Sequence, residues 1–143
     1  MVICGRSEAL KRRLDELAGA RPSHLSPALH VVGYTTEMDE YMAGADLLVG
    51  KPGGLTSSEA LARGLALVIV RPIPGQEERN ADHLLEAGAA TRCNNLPALP
   101  WKIDRLLDDP ERLAAMRANA RRLARPHAAR DIAAALVGVE PAG

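Results

Sequence analysis

The sequence predicts an α/β domain: a Rossmann-like, doubly wound parallel sheet with extra helices at its C-terminal end. Three observations carry this. Short apolar runs alternate with stretches of helical periodicity as far as Cys93, an order that calls for right-handed crossovers and parallel strands. One run, Leu65–Val70, is apolar at every position, as in a strand covered on both faces. The glycine- and proline-bearing polar segments fall just after the runs, where open α/β sheets bind their ligands.

Val2–Cys4 reads as a buried strand closed by Gly5. Ser7 suits the N-cap of a helix over Glu8–Ala18, with Leu10, Leu14 and Leu17 on one face and Gly19, Pro22 and Ser23 as breakers. Leu29–Tyr34 is the next strand. A short helix over Glu37–Ala43 follows, then a strand over Asp46–Val49. Gly50–Gly54 is a loop, Thr56–Arg63 a helix ended by Gly64, and Leu65–Val70 the central strand. Arg71–Gln76 is a proline-rich loop, Glu77–Ala87 a helix ended by Gly88, and Ala89–Cys93 an edge strand. Beyond it the chain is helical over Leu99–Leu107, Pro110–Arg125 and His127–Val137. Pro110 behind Asp108-Asp109 matches proline in a first helical turn after an acidic cap.

Composition excludes several classes of function. A chain of 143 residues is one domain, and 47% hydrophobic with 25% charged residues is a globular balance. Eighteen basic and eighteen acidic residues give zero formal charge, and Phe is absent. A neutral chain poor in aromatic rings is neither a basic nucleic-acid footprint nor a base-stacking platform, so no nucleic-acid partner is expected. Two cysteines, Cys4 and Cys93, make neither a disulfide framework nor a zinc site and read as small buried hydrophobes in a reducing compartment. His24, His30, His83 and His127 lack metal-ligand spacing, so no metal and no cofactor are expected. No apolar run is long enough to span a bilayer, and no secretory leader is visible. The expected location is cytoplasmic.

Two segments carry the chemistry. In Lys51-Pro52-Gly53-Gly54-Leu55-Thr56-Ser57-Ser58-Glu59-Ala60 an apolar strand passes through two glycines into a helix. Glycine lets a ligand approach the backbone, and the helix start offers free N–H groups and a partial positive charge, a setting for a diphosphate. Glu59 lies further in, placed to accept hydrogen bonds from vicinal hydroxyls. An ordinary strand-to-helix turn capped by Thr56 explains the same spacing equally well. The segment is neither a P-loop nor a nucleophile elbow. In Arg71–Asn80 two prolines stiffen a loop, and Gln76-Glu77 arrive at a helix start, where an amide beside a carboxylate suits sugar hydroxyls. A helix with acids at its positive end is the commoner explanation of that pattern.

Together and in this order, Lys51–Glu59 and Pro72–Asn80 resemble the donor-binding half of the family-28 glycosyltransferases. That family includes the lipid-linked N-acetylglucosaminyltransferase of peptidoglycan synthesis, the monogalactosyldiacylglycerol synthases and the processive diacylglycerol glycosyltransferases. The run KPGGLTSSEALARGLALVIVRPIPGQEERNADHLLEAGAA is most similar to the diacylglycerol branch, and the resemblance extends from Val2 to about Leu107. It implies the C-terminal lobe of a GT-B glycosyltransferase and a role as the UDP-sugar-binding half of an inverting enzyme that transfers a hexose to a lipid such as diacylglycerol. Carried over by position, Thr35 meets the uracil, and Gly53, Gly54, Leu55 and Thr56 meet the diphosphate with Lys51 near it. Glu59 holds the ribose, and Gln76 and Glu77 hold the sugar with Asn80 close behind. No catalytic residue is assigned.

Relatives carry an acceptor domain and a first βα unit upstream of the segment matching Val2–Arg6. Residues 1–143 are therefore expected to be a nucleotide-sugar-binding domain truncated at its N-terminus, inactive alone and prone to self-association through an uncovered sheet. A stand-alone, non-catalytic UDP-sugar-binding subunit working with a separate acceptor-binding chain is the competing reading. A sugar-nucleotide epimerase of the same two-lobed architecture is a weaker third. Arg117, Arg121 and Arg125 recur along one helix, with Arg122 and Arg130 nearby. Such a stripe suits either peripheral contact with anionic lipid at the inner face of the membrane or, more commonly, a solvated helix face.

Overall fold

The structure, a computed structural model, describes residues 1–20 and 29–138. The chain divides into two compact units, Met1–Met38 and Asp39–Gly143.

In the first unit, β1 (Val2–Ile3) pairs in parallel with β2 (Val31–Val32). Val2 N–H donates to the His30 carbonyl and Cys4 N–H to that of Val32, both at 2.8 Å. The strand expected over Leu29–Tyr34 shrinks to Val31–Val32. Its partner offers only a short ladder before Gly5, at φ +56°, turns the chain. Helix α1 (Glu8–Gly19) begins at Ser7, whose hydroxyl accepts the Leu10 N–H at 3.4 Å, and it packs on β2. Of the expected apolar face, Leu14 is half-buried while Leu10 and Leu17 are exposed. Lys11 donates to Asp15 at 2.7 Å, one turn along, and this bond holds the ammonium above its ordinary pKa. The expected breakers Pro22 and Ser23, and His24, lie outside the described residues.

Helix α2 (Met38–Ala43) leads into the second unit, which is built on β3 (Leu47–Gly50), β4 (Ala66–Val70) and β5 (Ala90–Cys93). They lie in the order β3-β4-β5, parallel throughout, so β5 is the edge strand its position in the chain suggests. Ala66–Ile69 are all buried, the outcome their continuous apolar run demands. The intervening helices are α3 (Gly54–Ala62) and α4 (Gln76–Glu86), which pack side by side. After β5 a 3₁₀ turn leads into α5 (Leu99–Leu107), α6 (Pro110–Leu123) and α7 (Ala128–Leu136). The α/β architecture with added C-terminal helices is thus as the alternation predicted.

One core cluster joins Ala66, Val68, Cys93, Leu106 and Met116, with Leu47, Val70, Leu99 and Leu113 packed against it. It is wholly aliphatic and sulfur-bearing, as a chain without phenylalanine requires. Both cysteines are buried, and the Cys93 thiol donates to the Asn95 carbonyl at 3.1 Å.

Helix α6 fastens the ends of the two site-bearing helices. Asp109 caps its start by accepting the Arg112 N–H at 3.0 Å, with Pro110 in the first turn. Gly64 and Gly88 end α3 and α4 with φ of +65° and +68°. Arg117 donates to the Gly64 carbonyl at 3.2 Å and to Asp46 at 2.6 Å, and Asn119 donates to the Gly88 carbonyl at 3.0 Å. A cation at the C-terminal end of α3 also complements that helix's dipole. A Cβ on Gly64 would come within 2.7 Å of the Arg121 Nε, so the side chain of Arg121 fills the space over the glycine. Arg122 bonds Asn119, and Arg125 donates to the Ala124 carbonyl. The arginine stripe, read from sequence as a lipid-facing or solvated surface, is therefore divided. Arg117, half-buried, holds α6 in place, while Arg121, Arg122, Arg125 and Arg130 are exposed. No described helix is long and apolar enough to cross a membrane.

Candidate functional site

Adjacent parallel strands β3 and β4 deliver two loops to the same, carboxyl edge of their sheet, and each loop opens directly into a helix. Lys51, Pro52 and Gly53 join β3 to α3. Gly53, with φ −64° and ψ 148°, is the N-cap. The helix starts at Gly54, two residues before the expected Thr56. Thr56 is therefore inside the first turn, half-buried, and is not the cap.

The two helix starts at this edge are uncapped, as are those of α5 and α7. Ser7 and Asp109 cap α1 and α6 through their side chains, whereas α3 and α4 have no side-chain cap bond. The first N–H of α3 to find a partner is that of Ser57, which donates to the Gly53 carbonyl at 2.8 Å. Among the described residues the amides of Gly53, Gly54, Leu55 and Thr56 have none. A Cβ on Gly53 or Gly54 would meet nothing within 4 Å, so the space above the loop is open and the backbone itself is the surface. Free amides, open space and the helix dipole form a setting for an anion.

The side chains around this loop fall into free and engaged groups. Lys51 and Glu59 are exposed, and neither has a side-chain partner among the described residues; Glu59 lies about one and a half turns into α3. Leu55 is 81% exposed and lines the mouth of the loop with an apolar group. Ser58 donates back to the Gly54 carbonyl at 2.9 Å, and Ser57 is buried with its hydroxyl unpartnered among the described residues.

The second loop, Arg71–Gly75, is held in an uncommon conformation. Arg71 sits at φ +43° and Gly75, the N-cap of α4, at φ +101°. Glu77 folds back over the loop, its carboxylate accepting the Ile73 N–H at 2.6 Å. Gln76, the first helical residue, is exposed and has no partner among the described residues. Glu78 faces the other way and forms a two-pronged ion pair with Arg92, both bonds 2.8 Å, which raises the guanidinium's pKa further above its ordinary value. Asn80 donates its amide to the Pro52 carbonyl at 2.9 Å and so ties α4 to the glycine loop.

The structure thus brings Lys51, Gly53, Gly54, Leu55, Thr56, Glu59, Gln76, Glu77 and Asn80 to one edge of one sheet. Thr35 belongs to the first unit, where its hydroxyl accepts the Glu37 N–H at 3.0 Å just ahead of α2, beside Tyr34, which stacks under Arg6 at 5.0 Å. Sequence reasoning passed over Pro52, whose carbonyl is the anchor for Asn80. It also passed over Arg117 and Asn119 as anchors of the same two helices. No local signal marks such partners.

Comparison with known proteins gives this geometry a context. The family model described as "Glycosyl transferases group 1" matches residues 1–123. A processive diacylglycerol beta-glucosyltransferase of Bacillus pumilus is 34% identical over 132 residues, covering 92% of this chain and 33% of its own length. Its counterpart in Bacillus mycoides is 36% identical over the same share of both chains. That of Bacillus subtilis is 34% identical over 119 residues, 83% of this chain and 30% of its own. The chain therefore spans about a third of the length of these relatives. Among solved structures, MurG of Acinetobacter baumannii superposes with a TM-score of 0.77 at 25% identity, over 95% of this chain and 40% of MurG. The glycotransferase of kitacinnamycin superposes at 0.55 with 23% identity, over 80% of this chain and 31% of its own, a likeness of fold. The similarity to diacylglycerol glycosyltransferases expected from the two motifs is borne out.

Proposed function

The chain belongs to the glycosyl transferases of group 1, and from that premise we propose that it forms the UDP-sugar-binding half of an inverting enzyme transferring a hexose to a lipid acceptor such as diacylglycerol. The observation that carries this reading is the uncapped start of α3. Four successive backbone amides, from Gly53 to Thr56, are unpaired among the described residues at the carboxyl edge of the sheet, and the space over Gly53 and Gly54 is open. A diphosphate satisfies them. Glu59, exposed and without a partner among the described residues, then accepts from the two ribose hydroxyls, and Gln76 at the neighbouring helix start reaches the sugar.

The same groups serve the chemistry. When the acceptor hydroxyl attacks the anomeric carbon, the bond to the nucleoside diphosphate breaks and negative charge grows on the leaving phosphate. Fixed N–H dipoles already aimed at that phosphate stabilise the growing charge without reorganising, and Lys51 adds a full positive charge nearby. Peripheral contact with anionic lipid falls to the exposed arginines of the stripe, Arg121, Arg122, Arg125 and Arg130.

Calorimetric titration with UDP, ADP and NAD tests the reading. Binding is expected for UDP alone, because no acidic residue follows a Gly-x-Gly-x-x-Gly fingerprint to take an adenosine ribose. Equal affinity for ADP would sink the assignment.

A further inference from the structure

Asn80 falls among the residues assigned to a donor sugar, yet its amide nitrogen is already spent elsewhere. It donates to the Pro52 carbonyl at 2.9 Å, across 28 positions of sequence. Pro52 is among the fully buried side chains, so the ring and the carbonyl bond together fix this one residue of the loop. In a planar trans peptide the carbonyl and the following N–H point in opposite directions. A donor that holds the Pro52 carbonyl therefore also sets the direction of the Gly53 N–H, the first of the four unpaired amides. Gly53 and Gly54, without side chains, have the widest backbone freedom available, and no other side-chain hydrogen bond among the described residues reaches Lys51–Gly53.

From this tether we infer that Asn80 is a positioning residue: it locks the Pro52–Gly53 peptide so that the loop amides are presented to a diphosphate, and it couples the start of α4 to that of α3. The inference rests on the donor-site reading above. It departs from a direct sugar contact in a measurable way. A sugar contact acts only on ligands that carry the sugar, whereas the tether acts on the diphosphate loop whether a sugar is present or not.

The 143-residue chain and its Asn80→Asp and Asn80→Ala variants are titrated with UDP and with UDP-glucose. Thermal melting and amide NMR of the nucleotide-free proteins run alongside. Asn80→Asp keeps the shape and removes the donor; Asn80→Ala carries the test if the new carboxylate disturbs folding. UDP affinity is expected to fall about tenfold in either variant, the size of losing one buried hydrogen bond, with UDP-glucose falling by the same factor. The Gly53 and Gly54 amide resonances are expected to move before any nucleotide is added. Unchanged UDP affinity with a loss confined to UDP-glucose overturns the inference in favour of direct sugar contact. If the unaltered chain binds no UDP, the donor-site reading falls. The glycine amides then decide the tether alone, and resonances that stay put in both variants refute it.

Discussion

Glu77 and Asn80 stand one turn apart on α4 and serve different loops: Glu77 closes its own by accepting from Ile73, while Asn80 reaches the loop before α3. Glu59, by contrast, is unengaged among the described residues, and that freedom is what a ligand-binding carboxylate needs. Glu59→Ala is expected to weaken UDP binding by about 1.5–3 kcal/mol, the range for hydrogen bonds to a charged group. Its circular dichroism spectrum should be unchanged, because alanine suits an exposed helical position. Unaltered affinity in a normally folded variant would remove Glu59 from the site. Gly75 offers a second test at this scale. Its φ of +101° lies in a region that side-chain-bearing residues avoid, and a Cβ there would meet nothing within 4 Å. Gly75→Ala should therefore act through the backbone alone, lowering the melting temperature by destabilising the loop roughly 1 kcal/mol or more.

At the scale of elements, helix starts and helix ends have separate tasks. The starts of α3 and α4 are left uncapped at the sheet edge, and their ends are secured by α6 through Arg117 and Asn119. An anion site made of backbone amides works only if the helix does not drift, and anchoring it at the far end leaves the near end free for ligand. The start of α6 is itself conventionally capped by Asp109. Asp109→Ala is expected to cost about 1 kcal/mol, read as a lower denaturation midpoint at unchanged m-value. A UDP affinity unchanged in that variant would show that the cap contributes to stability alone. An unshifted midpoint would mean that α6 owes its stability to the contacts along its length.

For the whole molecule, the groups gathered at the sheet edge are those proposed above for a donor. Of the carboxylates beside the two loops, Glu59 is the one proposed for ribose, and Glu77, expected at the sugar, accepts the Ile73 N–H of its own loop. With the chain spanning about a third of its relatives' length, the 143 residues are expected to bind UDP and transfer no hexose to diacylglycerol by themselves. Orienting an acceptor hydroxyl is worth on the order of 7–11 kcal/mol of barrier, too much to forgo. An assay of radiolabelled UDP-glucose with diacylglycerol vesicles checks this. Robust turnover would place a base within these residues.

The sequence by itself determined the order of strands and helices, the buried central strand, the two loops at its edge and the residues around them. Those features follow from local signals: hydrophobic period, glycine and proline positions, and acidic residues at helix starts. Helix α5 was legible to the residue for that reason, and the acidic cap before α6 to one of two neighbouring aspartates. Where α3 begins was not, because Thr56 and Gly53 both suit a helix start and the choice depends on how the loop leaves β3. Tertiary structure alone decided which side chains are free. Asn80 and Pro52 are 28 positions apart, Arg117 and Gly64 are 53 apart, and Asn119 and Gly88 are 31 apart. A hydrogen bond between such residues exists only once parallel strands and the helices between them have brought distant carbonyls and donors within 3 Å or so of each other, and no periodicity along the chain encodes that.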